Sequence, residues 1–129
     1  MDRQDSLRKE EAARLLQRTE GEVHLAVALM LFGGLRVGEV AELRHRDVVV
    51  GQKIAKIHVG RGNKVDSVKA TGRFRDLLAG HRGVPDELVI GRRTGDVPDM
   101  LKRAMRAQGI TASCYALRHT YATSETGED

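Results

Sequence analysis

The sequence of 129 residues has no tryptophan and only two phenylalanines and two tyrosines. Proteins that bind single-stranded nucleic acid commonly stack the bases on aromatic side chains, so this class of protein is disfavoured. Duplex DNA is bound mainly through contacts of Arg and Lys with phosphates, which need no aromatic residue. The shortage of aromatic residues therefore leaves duplex binding open.

Cysteine and long apolar segments are equally scarce. Cys114 is the only cysteine, so no disulfide can form within the chain, and a reducing cytoplasmic location is expected. The longest apolar run, Leu25 to Phe32, is far shorter than the roughly 20 residues that cross a bilayer. The polar start, Met1 to Asp5, does not resemble a secretory signal. We therefore expect no membrane partner.

Ligand motifs for metals and nucleotides are missing as well. The five histidines do not have the spacing of zinc ligands, and the sequence contains neither a P-loop nor a G-x-S-x-G motif. We therefore expect no metal and no cofactor.

The residues that are present describe a basic, globular protein of one-domain size. Lys and Arg number 22 against 18 Asp and Glu, which gives a formal net charge of +4. A modest basic excess suits a nucleic-acid partner without requiring one.

Apolar periodicity predicts a mixed α+β fold, mainly helical, with a small three-stranded antiparallel sheet. The first helix is expected to begin near Asp5 or Ser6, either of which can cap it. The other predicted helices are Gly21–Phe32, a short one from Arg36 to about Arg44, Thr71–Ala79, Asp96–Gln108 and a last one capped by Ser113. The predicted strands are Val48–Val50, Ile54–Val59 and Val65–Ala70.

The same patterns predict which residues are buried. The helix Gly21–Phe32 is apolar on nearly all sides, so it is expected at the centre of the fold. Alternation within the second strand places Ala55, Ile57 and Val59 on its buried face. In the last helix, Leu117 and Tyr121 are expected to be buried, and Glu87–Ile90 is expected to be a short extended piece.

Three motifs carry a family resemblance. They are GLRVGE at Gly34–Glu39, GRGNK at Gly60–Lys64 on the predicted hairpin, and YALRHTYAT at Tyr115–Thr123. Each motif alone is weak, but their order and separations resemble the catalytic domain of tyrosine recombinases, the phage integrase family, over about residues 5–124. The last motif is similar to the H-x-L-R-H-T-F-A-T stretch of that family.

The resemblance implies a site for DNA phosphate. In the family, a tyrosine attacks a phosphate of duplex DNA, and two arginines stabilise the charge that develops there. By motif position those arginines are Arg36 and Arg118, since guanidinium groups bind phosphate oxygens in pairs and stay charged. Glu39 is expected to orient Arg36, and His119 is expected to support the site.

Two positions depart from the family motif. The hairpin lysine, a general acid in the family, is replaced by Arg61, and a guanidinium scarcely releases a proton in proteins. Lys64 lies three residues further on, and both are expected to contact DNA phosphates. Tyr115 replaces the first histidine, and we expect it to be a structural tyrosine that is buried or hydrogen-bonded.

The resemblance also sets expectations for the extent of the domain. We expect residues 1–129 to form a single truncated catalytic-like domain without the N-terminal core-binding domain or the C-terminal nucleophile segment. Such a fragment is expected to bind DNA weakly and in a salt-dependent way, and to be inactive alone. Apolar surface near the last helix is expected to favour self-association or marginal stability.

Other functions remain open at this stage. The chain is alternatively part of an active recombinase, whose tyrosine comes from a longer gene or from another subunit. It is alternatively a regulator that occupies recombination-site DNA, or pairs with a full-length recombinase or a second copy of itself. A plain helix-turn-helix over Gly34–Leu43 is a further alternative. The sequence specifies neither the DNA target nor the oligomeric state.

Overall fold

The computed structural model describes residues 6–61 and 64–124, with the backbone alone at Arg61 and at 121–124, and these residues form six α-helices and one three-stranded sheet. The helices are α1 Lys9–Gln17, α2 Gly21–Leu31, α3 Val37–Glu42, α4 Gly72–Ala79, α5 Val97–Ala107 and α6 Cys114–Ser124. The strands are β1 Val48–Val50, β2 Ile54–Arg61 and β3 Lys64–Thr71. This confirms the predicted mixed α+β class.

Helix α2 forms the centre of the fold, as predicted. Every residue from Leu25 to Leu31 is at most 8% exposed. The helix contacts each of the other five α-helices, so its apolar side chains are covered on all sides. Burial of a Leu or Val side chain contributes about 1.5–3 kcal/mol, which makes α2 the largest source of hydrophobic stabilisation.

The sheet is an antiparallel meander in the order β1–β2–β3. Ala55, Ile57 and Val59 are buried on its inner face, which confirms the predicted alternation. In the register, Ile57 lies opposite Val48 on one side and Val68 on the other. The β2–β3 hairpin is longer than predicted, because pairing continues to Arg61 and Lys64 beyond the last core residues.

The start of α1 differs from the prediction. The helix begins at Lys9 rather than near residue 5 or 6, and Asp5 lies outside the described residues. The backbone N–H of Arg8 donates to Glu11 Oε1 at 2.9 Å, so a carboxylate inside the first turn satisfies the helix end. The residue before the helix is Arg8 rather than a Ser, Thr, Asp or Asn, which usually cap a helix. The prediction, which relied on such a cap, therefore placed the start of α1 too early.

The predicted extended piece Glu87–Ile90 is present only as a short antiparallel bridge. Only Leu88 pairs, as an isolated bridge with Arg44. The backbone N–H of Val89 donates to the Leu43 carbonyl at 2.8 Å, which ties this segment to the end of α3. None of the helices in the described part of the chain is long and apolar enough to cross a membrane.

Helix α6 is tied to the start of the chain by a buried hydroxyl. Thr120 Oγ1 accepts a hydrogen bond from the backbone N–H of Leu7 at 2.7 Å and donates to the Ala116 carbonyl at 2.7 Å. Both Thr120 and Leu7 are buried. The hydroxyl therefore satisfies a backbone donor that water does not reach. The predicted burial of Leu117 is confirmed, whereas the side chain of Tyr121 lies outside the described residues.

Replacing Thr120 with Val should remove this bond while keeping the side-chain shape. Because the Leu7 N–H is then buried without a partner, we expect the free energy of unfolding to fall by about 1–3 kcal/mol. Urea denaturation followed by circular dichroism measures the change. Thr120→Ser keeps the hydroxyl and serves as the control; equal stability of Thr120→Val and the wild type would contradict this role.

Candidate active site

The loop after α2 creates the first wall of the candidate site. At the end of α2, the backbone N–H groups of Gly33 and Gly34 donate to Leu29 and Met30 carbonyls, both at 3.1 Å. Gly34 has a φ of +69°, a conformation that residues other than glycine rarely adopt. A Cβ on Gly33 would lie 2.6 Å from the Leu29 carbonyl oxygen. Both glycines are thus needed for the chain to turn directly into the exposed Arg36.

Arg36 immediately precedes α3, and Glu39 fixes its backbone. The N–H of Arg36 donates to Glu39 Oε1 at 2.8 Å. Glu39 therefore holds the main chain at Arg36. This contact acts on the backbone of Arg36, and the expected orientation of its guanidinium by Glu39 stays a prediction.

Arg118 reaches the same loop from α6. Its Nε donates to the Gly34 carbonyl at 3.0 Å, across 84 residues of sequence. The acceptor lies two residues before Arg36, so the structure brings the Arg118 guanidinium to the segment that carries Arg36. Within the described residues no carboxylate forms an ion pair with Arg118. Holding Arg118 through Nε leaves its positive charge uncompensated by a carboxylate.

Tyr115 was expected to be buried or hydrogen-bonded, and the expectation of burial is wrong. Tyr115 is 61% exposed, and its ring stacks on that of His119 with centroids 5.8 Å apart and planes 21° apart. The buried face of α6 carries Ala116, Leu117 and Thr120. Tyr115 therefore falls on the opposite, solvent-facing side of the helix.

His119 has one ring nitrogen in an unusual position. Its Nδ1 is buried and has no hydrogen-bond partner among the described residues. An unpaired buried polar group of this kind costs roughly 1–3 kcal/mol. The motif placed His119 near the site, but nothing in the sequence indicated that this nitrogen would be buried and unpaired.

The two basic residues of the hairpin motif lie at its end, beyond the buried Val59. Arg61 and Lys64 are paired at the end of the β2–β3 ladder, and Lys64 is exposed. Residues 62 and 63 and the side chain of Arg61 lie outside the described part of the structure. The predicted contact of Arg61 with phosphate therefore remains a prediction.

Other chemically reactive groups are confined to the core or scattered. Burial raises the pKa of the Cys114 thiol, and this effect outweighs the opposing charge of Lys102. Cys114 is therefore a packing residue at the start of α6, with its Sγ 3.6 Å from the Pro98 carbonyl. Among the described residues, no three His, Cys, Asp or Glu side chains are grouped so that they hold a metal ion.

Comparison with known proteins identifies the family of this chain. The sequence matches the Phage integrase family over residues 5–124, so the chain belongs to the phage integrase family of tyrosine recombinases. A tyrosine recombinase from Pseudothermotoga lettingae is 27% identical over 110 residues, which span 78% of this chain and 38% of that protein.

Two solved structures share the fold. The XerA recombinase superimposes with a TM-score of 0.79 at 23% identity. The match covers 100% of this chain and 54% of the XerA chain. The structure of lambda integrase (residues 75–356) bound to DNA gives a TM-score of 0.70 at 18% identity. The match covers 98% of this chain and 53% of the lambda integrase chain. The chain thus spans about half or less of the length of these three relatives.

The contact between Glu39 and the Arg36 backbone can be tested by substitution. Glu39→Ala should lower the free energy of unfolding by about 0.5–2 kcal/mol, because the first turn of α3 loses its acceptor. Amide hydrogen exchange at Arg36 should become faster at the same time. Glu42→Ala removes an exposed carboxylate from the same helix and is the matched control; identical effects of the two changes would contradict the assignment.

Proposed function

We propose that this chain is a DNA-binding portion of a site-specific tyrosine recombinase and that Arg36 and Arg118 bind one phosphate of duplex DNA. The observation that carries the proposal is the hydrogen bond from Arg118 Nε to the Gly34 carbonyl, two residues before Arg36. The solved structure of lambda integrase bound to DNA supports duplex DNA as the class of partner.

Charge and geometry favour phosphate as the ligand of these arginines. A guanidinium donates in a planar fork that matches two phosphate oxygens, and it remains charged at every physiological pH. Arg36 is exposed and Arg118 is half-buried, so one charge faces solvent while the other is screened less by water. Such a pair is suited to stabilise the negative charge of a five-coordinate phosphate.

We further propose that this chain, in the cytoplasm, binds recombination-site DNA without cutting it by itself. Proton transfer by a general acid is typically worth about 10² to 10⁴ in rate, and the arginine at position 61 does not supply it. Position 115 carries a phenol where the family has an imidazole, and a phenol is in general a poor proton acceptor at neutral pH. The substitution at these two positions supports a degenerate site.

A second candidate is an active recombinase of which this chain is one part. The alignment with the Pseudothermotoga protein covers only 38% of that relative. In this case a longer chain or another subunit supplies the tyrosine, and the Arg36–Arg118 site is the phosphate clamp of a working enzyme. Assembly with a full-length recombinase belongs to this candidate.

DNA binding tests the phosphate site. Arg36→Ala and Arg118→Ala should each weaken binding to a labelled duplex roughly tenfold, since hydrogen bonds to charged groups contribute about 1.5–3 kcal/mol. The slope of log K against log salt should fall by about 1 for each lost phosphate contact. Fluorescence anisotropy at several salt concentrations measures both quantities.

Arg18→Ala is the control for net charge. Arg18 is exposed and lies between α1 and α2, at the end of α2 away from the Gly33–Leu35 loop. The three substitutions remove the same charge, so equal losses of affinity would contradict a site at Arg36 and Arg118 and indicate general electrostatic attraction instead.

A nicked suicide duplex separates the two candidates. With this chain alone we expect a shifted complex but no covalent protein–DNA adduct on a denaturing gel. An adduct that is lost in Tyr115→Phe or Tyr121→Phe would contradict inactivity of the chain alone. Cleavage that appears only when a full-length recombinase is added would favour the second candidate.

A further inference from the structure

The sheet has an outer face that no other part of the described chain covers. Side chains alternate between faces, and the inner positions of β2 are the buried Ala55, Ile57 and Val59. The outer positions of the same hairpin include Lys56 and His58, opposite Lys69 and Ser67. His58 Nδ1 lies 3.1 Å from Ser67 Oγ, so these side chains share the outer face.

Two lysines lie directly opposite each other on the outer face. Lys56 pairs with Lys69 in the register, and both are exposed. Like charges at directly opposed positions destabilise a sheet. None of the outer-face positions of β2 and β3, from Ile54 to Gly60 and from Val65 to Thr71, carries a carboxylate that offsets them. The sheet is thus less stable than it would be with one of the two lysines replaced by an acid.

Val49 and Ile54 lie next to the lysine pair on the outer face, and Val65 lies beyond the His58–Ser67 pair toward the hairpin end. Val65 is 72% exposed, Val49 is 54% exposed and Ile54 is 40% exposed. Val49 lies opposite Lys56 on the β1 side, so apolar and cationic groups are contiguous across all three strands. An exposed apolar patch that is rimmed by polar residues marks an interaction surface.

We propose that the outer face, defined by Val49, Ile54, Lys56, Val65 and Lys69, docks an acidic protein segment that also carries aliphatic side chains. Carboxylates of the partner neutralise the opposed lysines, and its aliphatic side chains cover the valines and the isoleucine. Charge complementarity requires a negatively charged partner. The exposed aliphatic side chains favour a protein, because a protein also offers apolar side chains.

Nucleic acid fits this surface less well. Phosphate contacts would neutralise the lysines but leave the aliphatic side chains without an apolar partner. Single-stranded bases need aromatic platforms, and the outer face of the described strands has none. Lys64, the basic residue at the end of the hairpin, lies five positions from Lys69 and therefore on the other face of β3. The docking surface is thus separate from the hairpin face that Lys64 shares with the core.

Isotope-labelled protein titrated with a synthetic peptide tests the proposal. The probe is a soluble peptide in which glutamate alternates with leucine, and the control peptide has lysine in place of every glutamate. We expect the amide resonances of Lys56, Val65 and Lys69 to shift with the acidic peptide alone. No shift at millimolar peptide, or equal shifts with the lysine peptide, would overturn the proposal.

Lys69→Glu separates binding from folding. It converts the repulsive pair with Lys56 into an attractive one, so the thermal midpoint should rise while peptide affinity falls roughly fivefold, the factor that one exposed ion pair supplies. Val65→Ser should weaken binding without changing the charge. Lys9→Glu, at an exposed position of α1, is the control and should have little effect.

Two further outcomes are decisive. If Lys69→Glu binds the peptide as tightly as the wild type, or duplex DNA shifts the same amides more strongly than the peptide, the outer face is not a site for acidic protein. Arg36→Ala should leave peptide binding intact, so this proposal and the DNA-phosphate proposal fail independently.

Discussion

The bond between Arg118 and the Gly34 carbonyl is the contact on which the candidate site depends. It joins α6 to the loop after α2 at 3.0 Å, although the two residues are 84 positions apart. The loop presents this carbonyl because Gly34 adopts a positive φ and Gly33 leaves no room for a Cβ. A side chain at either glycine would move the carbonyl, and with it the distance between the two arginines that the sequence singles out.

The rest of the fold holds the two sides of this contact in place. Helix α2 is surrounded by the other helices, so the loop at its end starts from a rigid point. Helix α6 is fixed through Leu117 in the core and through the Thr120 hydroxyl that binds the Leu7 N–H. The N–H of Arg36 is held by Glu39. These contacts bring the Arg118 guanidinium to the loop that carries Arg36, and within the described residues no carboxylate forms an ion pair with Arg118.

Much of the fold could be predicted from periodicity, since α2, the three strands and the inward face of β2 follow directly from apolar spacing. The start of α1 could not, because its cap is Glu11 inside the helix rather than a residue before it. The family motifs predicted Arg36 and Arg118 as site residues. They could not predict the acceptor of Arg118, because a motif specifies side chains and this acceptor is the backbone carbonyl of Gly34. The exposure of Tyr115 was missed because one helical motif does not specify which face packs against the core.

A double-mutant cycle on DNA affinity tests the central claim most directly. Arg36→Ala, Arg118→Ala and the double variant are compared with the wild type at one salt concentration. If both guanidinium groups bind one phosphate, the effects should depart from additivity by about 0.5–3 kcal/mol. Effects that add to within about 0.5 kcal/mol would show that the two arginines act independently and would contradict a shared phosphate site.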